Sequence, residues 1–468
     1  MNSFYFGGIG ICFIISFVLF KKSAGTLDPG KINIISGFYY LFLLQTFLGI
    51  SLIVLGFDKH YTLDRLILRK GTINITFVII MILSVAIPLC MIMWQRVLRM
   101  RPKVDYLKYL KDETCMYNTN IVYRVVLICI IICSILMIAW FIKIGYIPAF
   151  KLFFASDDFN FAIERKRISN SYLIHPYISN ILILTFIPLL SYIACAYALV
   201  SKSQKWYILF FITFIESLMV KTYNFEKAPI IYYIAVFILI YIIYKGCISW
   251  KILSLFAVLS VGAIILLYKA TGFTGKVFDL YNGPVGRTIF SQLGSLLCIF
   301  DAFPKYFCFL KGRSLSGTVL PLLGMSKDMH IRSGKLMMEF YGSEGIYDGT
   351  AGVLNGFFVG EAYANYGVGG IVFSVLWVTF LFVLILKISM KVKKTPITIA
   401  FLATMSLKMI MISQGGFFDY IFSVDLLFTC LVYGSGYLFL ERGKIFGDMM
   451  KSRKRGQWND RENINSHS

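Results

Sequence analysis

The chain has 468 residues, 58% of them hydrophobic and 15% charged, with a mean hydropathy of +0.74; a soluble domain is nearer half apolar and a quarter charged, so an ordinary soluble fold is excluded. The apolar residues come in long runs, which reads as an all-α polytopic membrane protein. The formal charge of +22 is spread over many loops, which suits a topology signal and attraction to lipid head groups and leaves no concentrated nucleic-acid-binding face.

Apolar runs near 3–20, 32–56, 72–94, 121–142, 179–200, 206–220, 228–245, 251–268, 366–387, 396–413 and 418–440 predict about eleven spans. The first run lacks a basic leader and a small-residue cleavage site, so it reads as a retained helix. The segments "QRVLRMRPKVDYLKYLKDE", "SKSQK", "KISMKVKKT" and "KSRKRGQW" are rich in Lys and Arg and should be cytoplasmic. Alternation then places the N-terminus outside and the C-terminus inside. One loop disagrees: 58–70, "DKHYTLDRLILRK", is basic yet falls outside. The organisation expected is a bundle over 1–268 with an external loop near 143–178, a large external loop over 269–365, three last spans over 366–440, and a basic tail over 441–468. The ten cysteines are scattered without a C-x-x-C pair and act as small hydrophobes.

The first external loop carries "FAIERKRISN", 161–170. Glu164 can pair with Arg165 or Lys166, but consecutive cations through Arg167 oppose the positive-inside bias and suggest use as binding residues. Lys227 stands at the outer mouth of the 228–245 run, where snorkelling to the interface is the competing explanation.

The second loop, 269–365, predicts a small folded cap with a helix over 287–302. Ile289, Phe290, Leu293, Leu297 and Phe300 share one face and Arg287, Ser291 and Ser295 the other, so this helix can lie along the bilayer surface. A cation at a helix start is unusual, because the dipole there is already positive. With an anion added, Arg287 and the free N–H groups of the first turn would act on one ligand, most naturally a phosphate. A snorkelling arginine is the alternative. Arg313, in the "KGRSLSG" turn, is a further candidate for the same anion.

Glu361 stands just before the 366–387 run. A carboxylate there could take a proton from a hydroxyl or pair with an arginine. Tyr363 could stack on a sugar ring, and Gly367, Gly369 and Gly370 would let neighbouring helices approach. The four histidines, His60, His175, His330 and His467, have no metal-ligand spacing, and no Walker loop, G-x-S-x-G or acyltransferase pattern occurs, so neither a metal nor a cofactor is expected.

Two blocks, "GRTIFSQLGSLLCIFDAFPKYFCFLKGRSLSG" (286–317) and "GFFVGEAYANYGVGGIVFS" (356–374), resemble bacterial O-antigen or oligosaccharide repeat-unit polymerases of the Wzy type. They cover about a tenth of the chain; the rest resembles the family in hydropathy and in the order of spans and loops. The resemblance implies a bundle like that of GT-C-type glycosyltransferases in the bacterial plasma membrane. It implies transfer of a growing glycan from undecaprenyl pyrophosphate onto the next lipid-linked repeat unit, on the outer face. Family members place external arginines on the pyrophosphate and need no metal. That carries over to Arg287, with Arg165, Arg167 and Arg313 beside it. Glu361 is then the candidate base; the related ligases favour a histidine, and none sits in the second block. Implied partners are the lipid-linked oligosaccharide, membrane lipid, a chain-length regulator and a flippase. The competing readings are a ligase-type transferase with the same donor, a flippase or exporter of lipid-linked sugars, and a purely structural assembly partner.

Overall fold

The computed structural model describes residues 2–154, 159–270, 275–276, 278–281, 283–317, 319–342, 352–411, 414–418 and 423–442; no strand occurs among them. The main helices are α1 (Asn2–Ala24), α2 (Ile34–Val54), α3 (Arg69–Val97), α4 (Thr119–Ile144), α5 (Pro176–Ser201), α6 (Gln204–Lys221), α7 (Ala228–Lys245), α8 (Trp250–Ala270), α9 (Pro284–Ala302), α10 (Phe358–Lys391), α11 (Pro396–Ile410) and α12 (Val424–Phe439). The basic tail falls almost wholly outside the described residues.

All eleven apolar runs are helical over their described cores. Eight of the helices, α1 to α5, α7, α8 and α10, are long and apolar enough to cross a membrane. α6 has the length but carries Lys205, Glu216 and Lys221, and α11 and α12 are apolar but shorter. The bundle turns large apolar side chains outward: Ile142 is 74%, Val258 68% and Phe211 63% exposed. Such a coat is stable against hydrocarbon and not against water.

Two apolar cores hold the helices. One is built from α1, α2, α3, α9 and α10; the other from α4 to α7 and α11, with Tyr433 of α12. α11 ties the two lobes, packing on α2 as well as on α5 and α7.

Connecting segments sort to two ends. At one end Ile248 N–H donates to Gly30 (3.0 Å), Cys115 N–H to the Lys394 carbonyl (2.9 Å) and the Lys394 ammonium to Leu110 (2.9 Å). At the other, Arg165 reaches Asn224 (3.0 Å) and Asp301 takes the N–H groups of Ile67 (2.8 Å) and Leu68 (2.9 Å). The loops expected inside thus meet each other, and those expected outside meet each other.

Asp301 also explains the basic 58–70 loop. Its carboxylate accepts from Ile67, Leu68, Thr72 (2.8 Å) and Tyr341 (2.8 Å). Burial alone would raise its pKa, but the four donors outweigh it and hold the carboxyl below its ordinary range. Arg69 spends its charge on Asp58 (2.8 Å) and Asp64 (3.0 Å). The loop is thus pinned to α9, with the Arg69 charge paired inside the loop.

Two expectations are corrected. α9 does not lie flat with one face down. It inserts among α2, α3 and α10, and Gly294 and Ser295 on its other faces are buried as well. Much of the described part of the second loop packs into the first lobe's core. The glycines of α10 also serve a different end from helix–helix approach. The helix breaks at Tyr366 and Gly367, where Gly367 has φ 59° and ψ −142°, a conformation that L side chains resist. The break folds the Ala362 carbonyl onto Gly370, where an added Cβ would lie 2.0 Å from that oxygen, whereas Gly369 faces open space.

Candidate functional site

Three of the predicted cations converge. Arg287 stands exposed in the first turn of α9, Arg165 is exposed in the helix Phe161–Ser169, and Lys227 precedes α7. Lys227 is partly buried, its ammonium 3.9 Å from the centre of the Tyr268 ring of α8. Burial, then the charges of Arg165 and Arg287, push it down to about 8. No described carboxylate forms an ion pair with any of the three. Arg287 belongs to one lobe and Lys227 to the other, so the cluster sits on the seam between them. Repelling cations held together by rigid elements make a preformed place for an anion.

Behind the cluster lies a cavity of about 720 Å³. Its walls come from the outer-loop ends of α5, α6, α7, α11 and α12. Glu226 and Ala228, on either side of Lys227, both line it, so Lys227 stands beside the cavity. Deeper in, Asp425 pairs with Lys408 and accepts from Thr185 (2.8 Å). Lys221 donates to the Leu184 carbonyl (2.9 Å). That carbonyl belongs to a wide-turned stretch of α5, Ser179–Phe186, whose π geometry displaces backbone groups from the regular ladder.

The other predicted residues lie elsewhere. Arg167 is engaged by Glu164 (2.8 Å), the Ile144 carbonyl (3.3 Å) and the Tyr146 ring. Burial opposes ionisation of Glu164, but the Tyr146 hydroxyl and Arg167 outweigh it and hold that carboxyl low. Arg313 folds back on Leu310 (3.1 Å), in a turn that Asn365 clamps to α10 through Gly312 (2.9 Å) and Ser314 (2.7 Å). Tyr363 packs edge-on against Phe300 (4.8 Å), so its ring is used for packing. Glu361 is 2% exposed and its Oε2 accepts from Phe418 N–H at 2.8 Å. This suits holding the 414–418 segment better than meeting a sugar hydroxyl.

That segment is itself part of the seam. Gln414 accepts from Tyr232 of the cavity wall (2.7 Å), and Gln292 of α9, in the amide orientation that satisfies its partners, donates to the Gln414 carbonyl (3.1 Å). The two sequence blocks meet here too: Gly356 and Gly360 bring α10 against Leu296 and Ile299 of α9.

Sequence reasoning missed His60 and the Lys221, Lys408 and Asp425 group. His60 is fully buried beside Phe290 (5.4 Å), its Nδ1 2.7 Å from the Thr62 hydroxyl. Burial first, then the Arg287 and Arg65 charges, push it down to about 4, so it is neutral at pH 7. The basic 58–70 loop was the available signal. For the second group, single charges near the ends of three apolar runs gave no sign that they share a cavity.

Comparison of the chain with protein families, with curated proteins and with solved structures finds no match.

Proposed function

We propose that this protein is a glycosyltransferase that polymerises undecaprenyl-pyrophosphate-linked repeat units on the outer face of the bacterial plasma membrane, with eleven crossings and the N-terminus outside. The observation that carries this reading is the closeness of Arg165 and Arg287 to Lys227, whose chain neighbours Glu226 and Ala228 line a large cavity at one end of an apolar bundle. An acceptor hydroxyl attacks the anomeric carbon of the donor, the bond from that carbon to the phosphate oxygen breaks, and pyrophosphate leaves with the electron pair while a base takes the hydroxyl proton. The charge developing on the leaving group is what fixed cations stabilise. A lipid-borne donor enters from the bilayer, which suits a site at the seam of two lobes near the interface.

Chain extension by the purified protein, from a lipid-linked repeat unit, tests this. Arg287→Ala at matched expression is expected to abolish extension, and Arg287→Lys to recover part of it, because an ammonium cannot make the bidentate contact. Full extension by the alanine variant would reduce Arg287 to a lipid anchor. In cells, deletion should leave single repeat units on the final acceptor; lipid-linked units retained on the inner leaflet would mean a flippase.

A further inference from the structure

We propose that the 720 Å³ cavity is a glycan subsite selective for acidic sugars, with Lys221 and Lys408 taking a sugar carboxylate and Asp425 and Thr185 taking hydroxyls. This deepens the polymerase reading and rests on it for the ligand being a glycan; the selectivity for charge rests on the cavity alone. The volume falls in the range of enclosed small-molecule sites and suits a short oligosaccharide.

The walls argue against the alternatives. A cavity for a lipid tail needs only apolar lining, whereas four charged side chains line this one, and three of them, Lys221, Lys408 and Asp425, stand in helices of a membrane bundle, where each is costly unless it has a task. The Lys408 and Asp425 side chains are 24% and 47% exposed, so the pair faces open volume and not packed side chains. Tyr223 and Tyr232, both partly exposed, also line the cavity and offer aromatic surface of the kind sugars stack on, while Tyr192 and Tyr233 are packed into its wall. Among the described residues there is no group of three or more His, Cys, Asp and Glu side chains that could hold a metal ion.

The preference for an acid follows from the local balance. Lys221 and Lys408 both lie within electrostatic reach of one carboxylate, Asp425. Glu226, the other acidic residue of the lining, is exposed at the rim. The inner part of the cavity therefore carries one ammonium in excess. Each ammonium has three donors, and the Leu184 carbonyl takes one from Lys221. A carboxylate on a bound sugar would complete both the charge and the hydrogen bonds.

The test uses the full chain in nanodiscs and two soluble probes of equal length, trigalacturonate and maltotriose, with binding read by calorimetry. The acidic trimer is expected to bind at least about tenfold more tightly than the neutral one. Lys221→Met should erase that preference and Lys221→Arg should keep it. Because Lys408→Met alone would strand Asp425 and could unfold the site, the Lys408→Met, Asp425→Asn pair serves as the second variant; it leaves Lys221 as the one excess ammonium and should keep the preference for the acidic trimer. Equal binding of the two trimers, no binding of either, or a preference that survives Lys221→Met would each overturn the proposal. Binding is read without turnover, so loss of chain extension with acid-selective binding intact would count against the polymerase reading and not against the subsite.

Discussion

Lys227 makes the cation cluster sensitive to pH in a way an all-arginine cluster would not be. In the free protein its ammonium is held near 8, by burial and then by Arg165 and Arg287. A bound diphosphate offsets that repulsion and raises the value, so binding takes up a proton above pH 8. Affinity should be full below pH 8 and fall as pH rises, by at most about tenfold per unit. A short-chain prenyl-diphosphate-linked sugar, a diester whose own charge is constant here, is the ligand to titrate. Lys227→Arg should flatten the profile through pH 9.5; an unchanged profile would remove Lys227 from the anion site. Glu361 separates two roles just as directly. Glu361→Gln keeps an oxygen for the Phe418 N–H, so a latch should survive it, while a general base would lose turnover with KM kept. Near-normal kcat is expected for Gln. Glu361→Leu leaves the Phe418 N–H unsatisfied and should cost about 1–3 kcal/mol of stability, read by thermal unfolding in detergent.

Among the elements, α10 depends on one residue for its shape. Gly367→Ala forces an L side chain into a backbone region it resists and should destabilise by about 1–3 kcal/mol. Gly369→Ala, two residues on and facing open space, should be neutral. Equal unfolding temperatures for the two variants would mean that the break relaxes freely. The cluster of glycines was visible in the sequence and read as room for neighbouring helices; the break was not, because composition cannot tell a close approach between two helices from a helix folding onto itself. α9 was legible as a helix with Arg287 at its start. Its burial was not, since Ser295 and Gly294 read as polar or neutral until partners such as Thr62 fill the space around them.

For the whole molecule, the sorting of loops to two ends makes the topology testable. A tag on the C-terminus should be inaccessible in intact cells and one in the 303–317 turn accessible; the reverse would invert the site's orientation. Apolar run length made the helices legible, because spanning hydrocarbon imposes it directly. The cations Arg165, Lys227 and Arg287 were legible as charges out of place. What was not legible is what needs three dimensions: that these three meet while Arg313 and Arg167 turn to local partners, and that Lys221, Lys408 and Asp425, from three helices, face one cavity.

The Asp301 knot bears on how the chain is made. Its donors at Ile67, Leu68 and Thr72 precede it by 234, 233 and 229 residues. At about 5–20 residues per second, a ribosome takes on the order of tens of seconds to cover that distance. Throughout that interval α2 and α3 are already inserted, yet the turn joining them has no carboxylate to bind its N–H groups. This end of the first lobe is thus closed only after five further helices have been made, and a nascent chain stalled before α9 would present an unfinished turn to quality-control proteases.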